Sequence, residues 1–151
     1  MVIKAWYEAL VHVFYPSLCY GCNNELIQGD QYICLQCQTE MGRTYFESIR
    51  DNPVEKLFWG RADIQCAAST FYYIDKTPLQ QIVHHIKYRQ EKELGIHMGE
   101  IMGIHGSGLF TECKTDLCIP MPLHPKKEYK RGYNQASLLC EGIFKQTGIP
   151  Y

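Results

Sequence analysis

The chain has 151 residues, of which 46% are hydrophobic and 21% charged, and its formal net charge is -1. This composition is typical of a globular protein and excludes disordered and fibrous classes, while the near-neutral charge provides no general attraction for nucleic acid or an anionic membrane. No apolar run approaches the roughly 18 residues that span a bilayer, so we expect no signal peptide, no membrane span and a cytoplasmic protein.

The N-terminal residues 2–14 predict an amphipathic helix that ends before Pro16. Lys4, Glu8 and His12 form a polar stripe opposite the apolar one. The apolar residues recur every three or four positions and are Val2, Ile3, Trp6, Leu10, Val13 and Phe14.

Two CxxC pairs follow, and they predict a structural zinc site. The ligands are Cys19, Cys22, Cys34 and Cys37. Each CxxC turn presents two thiolates, and two such turns complete a tetrahedron with no open position for water or substrate. The surrounding glycines and polar residues supply little core, so the metal would hold this module together. The alternative is two disulfides or idle thiols, which a reducing compartment disfavours.

The other four cysteines share no ligand spacing, and we expect them to be thiols without a role. They are Cys66, Cys113, Cys118 and Cys140.

The rest of the chain predicts an α/β domain. Residues 1–41 would form the N-terminal helix and zinc ribbon, residues 42–61 a linker, and residues 62–151 the first part of a parallel sheet with its helices. Within the last range, residues 66–74 and 116–120 have the composition of strands.

Three helices are predicted in this last range. The first begins at Pro78 after an N-cap at Thr77, because Leu79, Ile82, Val83 and Ile86 form one apolar face. The second runs from Leu94 to about His105 and stops at Gly106 or Gly108. The third carries the apolar face of Ala136 to Phe144 and ends at Gly148.

Residues 122–132 predict a basic loop between the second strand and the last helix. It holds Lys126, Lys127, Lys130 and Arg131. Ligands of open α/β sheets bind at this edge, and a cluster of cations beside a helix start suits phosphate groups. A solvated, charged surface loop without a ligand is the alternative.

Several motifs together resemble the ComF/GntX family of amidophosphoribosyltransferase-like competence proteins. They are the segment PMPLH at 120–124, the segment RGYNQA at 131–136, FYP before the first CxxC, and IKY at 86–88. This resemblance implies an N-terminal zinc ribbon followed by a type I phosphoribosyltransferase-like parallel sheet. It also implies that His124, Lys127 and Arg131 bind the pyrophosphate of phosphoribosyl pyrophosphate, with Mg2+ bridging the leaving group.

The chain departs from the family pattern in two places. Lys127 stands where arginine is common in the family. Lysine keeps the positive charge but lacks the two parallel N–H groups with which a guanidinium binds phosphate. A DDVxTTG-type phosphate loop is absent from the sequence, so the chain resembles the family without its C-terminal part. We therefore expect no phosphoribosyl transfer by this chain alone.

Three functions remain open at this point. The first is a phosphoribosyltransferase-like protein linked to competence and DNA uptake. The second is a zinc-ribbon adaptor that binds single-stranded DNA or a competence helicase through its ribbon and basic loop, with Tyr129 and Tyr133 among the lysines. The third is one part of a split protein with no activity of its own.

Overall fold

A computed structural model describes residues 16–27 and 30–151. The predicted helix over residues 2–14 lies outside these ranges. Within them, no helix is long and apolar enough to cross a membrane. The elements in chain order are α1 (Leu35–Glu40), a 3-10 helix (Phe46–Ser48), α2 (Pro53–Lys56), α3 (Pro78–Tyr88), α4 (Lys92–Glu112), α5 (Pro125–Arg131) and α6 (Gln135–Thr147).

The predicted parallel α/β sheet is wrong for the described residues, which form six α-helices and no sheet. Residues 66–74 form no strand and pair only through one antiparallel bridge between Phe71 and Arg43. Residues 116–120 form no strand either, and the Cys118 N–H donates to the Pro150 carbonyl at 2.8 Å. β-branched and aromatic residues favour an extended backbone, but a sheet also needs a neighbour at each successive residue pair. These two segments lack such neighbours.

Two of the three predicted helices are confirmed with nearly the expected bounds. Helix α3 has Pro78 in its first turn and buries Leu79, Ile82 and Ile86. Helix α6 starts after Asn134, whose side chain accepts a hydrogen bond from the Ala136 N–H at 3.0 Å. It ends at Gly148, whose φ of 73° is the left-handed conformation that glycine adopts readily.

The predicted end of the second helix at Gly106 or Gly108 is wrong, because α4 continues to Glu112. Neither glycine ends the helix, and other glycines let α4 pack closely on α6. A Cβ at Gly99 would lie 2.2 Å from the Leu139 carbonyl oxygen, and one at Gly142 would lie 2.0 Å from the Ile96 carbonyl oxygen. Helices α4 and α6 therefore cross with their backbones in direct contact.

Most of the buried apolar residues form a cluster that extends from the cysteine region into the helices. It includes Leu26 and Ile33 from the N-terminal part, and Ile82, Leu94 and Met98 from α3 and α4. The N-terminal segment thus packs on the helical part of the chain.

Two contacts join the segments between these helices. Asn52 is only 2% exposed, and its side chain caps α2 by accepting hydrogen bonds from the Val54 and Glu55 N–H groups. Its Nδ2 also donates to the Ala67 carbonyl at 2.8 Å. A disulfide joins Cys66 to Cys113 just beyond α4, whereas the sequence predicts two free thiols. Cys113 directly follows the last turn of α4, and the sequence pattern predicts too early an end for this helix.

Candidate metal centre and basic helix

The four CxxC cysteines converge on one point. Their Sγ atoms all lie within 4.8 Å of one another, and none of the four belongs to a disulfide. Cys19 and Cys22 come from a turn that the Leu18–Glu25 bridge closes. Cys34 precedes α1, and Cys37 lies within it. We call these four residues and their two turns the cysteine knuckle.

The spacing of the sulfur atoms fits a tetrahedral metal ion. Zinc–thiolate bonds of about 2.3 Å place the sulfurs of a tetrahedron roughly 3.8 Å apart. The Sγ atoms of Cys22 and Cys34 are separated by 3.8 Å. Cys19 and Cys37 are almost fully buried, while Cys22 is exposed. A metal here would be shielded on one side and would have four protein ligands.

Backbone amides stabilise negative charge on one of these sulfurs. The N–H groups of Gly21 and Cys34 each lie 3.3 Å from Cys19 Sγ. Burial acts to raise the pKa of the Cys19 thiol, but the backbone N–H groups outweigh it and lower this pKa to about 7. At Cys37, burial and the neighbouring thiols raise the pKa. Four adjacent thiolates therefore need a cation to be stable together.

Gly21 is required by the close approach of the knuckle to α3. A Cβ at this position would lie 2.8 Å from Cys37 Sγ and 3.0 Å from the Cβ of Pro78. Only glycine leaves this space free. Gly21 therefore lies in contact with both Cys37 of the knuckle and Pro78 in the first turn of α3.

Aromatic side chains complete the junction between the knuckle and the helices. The Tyr20 hydroxyl donates to Glu91 Oε2 at 3.0 Å, and its ring meets His85 edge to face with centroids 5.0 Å apart. The ring of Tyr32 lies 5.2 Å from that of His97. The Nδ1 of His85 is buried without a hydrogen-bond partner among the described residues. The knuckle thus contacts α3, α4 and the turn between them.

The basic segment is a helix and not the loop that the sequence predicts. Helix α5 has Pro125 in its first turn, His124 as its N-cap and Gly132 in the left-handed conformation at its end. The His124 side chain accepts from the Lys126 N–H at 3.3 Å. These are ordinary start and stop signals, which the density of charges obscures.

The structure places the three predicted phosphate-binding residues within two turns of each other. His124 precedes α5, and Lys127 and Arg131 lie four positions apart, which puts them on one face of the helix. The Arg131 guanidinium stacks 5.6 Å above the Tyr88 ring and donates to Gln135 Oε1 at 2.8 Å. In the described part of the chain, Lys126, Lys127, Lys130 and Arg131 form no ion pair.

Two residues next to α5 hold it in place through hydrogen bonds that the sequence does not predict. The Tyr133 hydroxyl donates to the Ile86 carbonyl, and Asn134 Nδ2 donates to the Met121 carbonyl at 2.9 Å. Both residues belong to the RGYNQA segment that carries the family resemblance. No hydrogen bond or ion pair joins α5 to the cysteines within residues 16–27 and 30–151.

The cysteine knuckle and α5 are thus two separate candidate sites on one helical framework. The knuckle has the donor atoms of a metal centre, and α5 has positive charges without an ion-pair partner among the described residues. We found no match of this chain to a family model, a curated protein or a solved structure.

Proposed function

We propose that the cysteine knuckle binds one structural zinc ion. The observation that carries this proposal is the convergence of four unpaired Sγ atoms within 4.8 Å. Four thiolates fill a tetrahedral shell, so the ion would stabilise the fold without taking part in catalysis. A zinc ion would also neutralise thiolates that otherwise repel each other on the buried side of the knuckle.

Metal analysis of the purified full chain tests this proposal. We expect about one equivalent of zinc, retained in Cys118→Ser and lost in Cys37→Ser. Cys118 is a free cysteine outside the knuckle, which makes it the matched control. A preparation that contains iron in place of zinc, or that binds no metal while its thiols remain reduced, would contradict the proposal.

We further propose that α5 binds the phosphate groups of a ligand related to phosphoribosyl pyrophosphate, in the manner of a ComF-like protein linked to DNA uptake. Support comes from the four cations of α5, none of which has a carboxylate partner in the described part. Paired positive charges would already be neutralised, whereas unpaired ones favour an anion. Mg2+ would accompany the pyrophosphate.

This proposal excludes turnover by the chain alone. Phosphoribosyl pyrophosphate has two anionic ends, and the sequence has no DDVxTTG-type loop for the second end. Alignment of the reacting carbon is worth on the order of 7 to 11 kcal/mol in such reactions, so transfer should fall below detection. The test is to incubate the chain with phosphoribosyl pyrophosphate, Mg2+ and a panel of bases. Release of pyrophosphate that Arg131→Ala abolishes would contradict this proposal.

A second candidate is an adaptor that binds single-stranded DNA or a helicase through the same helix. The observation in its favour is Tyr129, which is 93% exposed among the lysines and could stack on a base. Titration with a labelled oligonucleotide at rising salt separates the two. Oligonucleotide binding with a steep salt dependence, weakened in Tyr129→Ala with the salt slope unchanged, favours the adaptor. Protection of α5 amides by pyrophosphate favours the phosphate ligand.

A further inference from the structure

A cavity of about 420 Å3 lies among the extended segment 68–71 and helices α3, α4 and α6. Its volume falls in the range of small-molecule sites, and one side of it opens to solvent. Its walls are mainly apolar and include Phe71, Leu79, Val83, Met98, Met102 and Leu139.

The cavity can adapt to the shape of a ligand. A second cavity of about 310 Å3 adjoins it, since Ala68, Thr70 and Met102 line both. Methionine is flexible, so a change in the Met102 side chain would redistribute space between the two. The site can therefore accept an apolar body of more than one shape.

Two polar groups at the wall of the cavity lack partners. Gln135 Oε1 is fixed by its hydrogen bond from Arg131, which leaves the buried Gln135 Nε2 without an acceptor in the described part. Lys87 also lines the cavity, is exposed to solvent and forms no ion pair with any described residue. An unsatisfied buried donor costs stability, and an acceptor on a ligand would remove that cost after a small turn of the amide.

We propose that this cavity binds a small hydrophobic carboxylate, with its apolar body among α3, α4 and α6 and its charge near Lys87 and Gln135. A single cation lines the cavity, which suits one negative charge better than the multiple charges of a phosphate ester. No residue of α5 lines the cavity, and the contact between the two sites is the hydrogen bond from Arg131 to Gln135.

Binding of 1-naphthoate to the full chain, followed by carbon-13 methyl spectra of the methionines, tests the site. An affinity in roughly the micromolar to millimolar range is expected for a ligand of this size. The methyl signals of Met98 and Met102 should shift with saturation, while that of Met121, 77% exposed and outside the cavity, should not. No shift at Met98 and Met102, or equal shifts at all three, would overturn the proposal.

A cavity-filling variant separates this site from nonspecific binding. Val83→Trp should place an indole in the cavity and weaken 1-naphthoate by about tenfold or more, since a ligand of this size gains its affinity mainly from buried apolar surface. Ile104→Trp is the control, because Ile104 is 56% exposed on α4 and lines neither cavity. Wild-type affinity in a folded Val83→Trp would refute the proposal. If Val83→Trp does not fold, the shifts of the Met98 and Met102 methyl signals in the wild type decide whether the cavity binds 1-naphthoate.

The charge preference has its own test. In the wild type, 1-naphthoate should bind about two- to fivefold more tightly than neutral 1-naphthalenemethanol, as expected for a charge pair at an exposed rim. Lys87→Gln should remove this difference, and Lys126→Gln on α5 should preserve it. Loss of the difference in Lys126→Gln alone would place the carboxylate at α5 and overturn the assignment.

Discussion

The cysteine knuckle and the α4–α6 helix pair are both tightly packed, but they reach that state by different means. Around the knuckle, two turns and a short helix bring four sulfur atoms together. In the helix pair, small residues let two backbones touch, with added Cβ atoms at Gly99 and Gly142 reaching within 2.2 Å of backbone oxygen. Van der Waals contact holds the helix pair together, whereas adjacent thiolates repel each other unless a cation neutralises them.

Removal of the metal should therefore give the largest effect and should separate the two regions. A strong chelator would remove a contribution on the order of 10 kcal/mol to folding of the knuckle. We expect the amides of residues 19–27 and 30–41 to lose protection in hydrogen exchange, while the central amides of α4 and α6 keep theirs. Helix α3 should show intermediate loss, because its buried Ile82 packs in the same cluster as Cys19 and Cys37. Equal loss in α6 would show that the two regions unfold as one.

Adding a methyl group where α4 and α6 cross should give the next largest effect on stability. Gly142→Ala places a Cβ 2.0 Å from the Ile96 carbonyl oxygen, and the helices must separate. We expect a loss of about 3 kcal/mol in the free energy of unfolding, measured by urea titration. Gly108→Ala is the matched control, since nothing lies within 4 Å of its added Cβ. It should stabilise α4 by about 0.5 to 1 kcal/mol. A Gly142→Ala protein as stable as the wild type would contradict the close crossing.

A smaller effect should come from the polar link between the knuckle and the helices. Tyr20→Phe removes the hydrogen bond to Glu91 Oε2 and should cost about 1 kcal/mol in unfolding free energy. Tyr73→Phe is the control, because Tyr73 is 61% exposed and makes no hydrogen bond with a described residue. The zinc content should be unchanged in both variants. A loss of zinc in Tyr20→Phe would mean that Glu91 helps to hold the ligands in place.

The sequence by itself determined the local features of the chain. The spacing of the cysteines predicts a four-sulfur cluster, and the structure brings the four Sγ atoms together. Apolar periodicity with capping residues located α3 and α6, because helix hydrogen bonds form between residues four apart and depend little on distant segments. The phosphate role of α5 and the zinc content stay predictions.

Only the tertiary structure decided the features that depend on distant neighbours. Residues 66–74 have strand composition, yet a strand forms a sheet only where another segment supplies its hydrogen bonds, and Phe71 finds a single bridge. Gly106 and Gly108 resemble helix ends in the sequence, but α4 continues through both, and three earlier glycines lie where α6 crosses it. The repeat of Gly95, Gly99 and Gly103 every four residues is the signal that could have revealed this crossing. Local propensity acts within one turn or strand, whereas contacts across the fold decide which neighbour each segment meets.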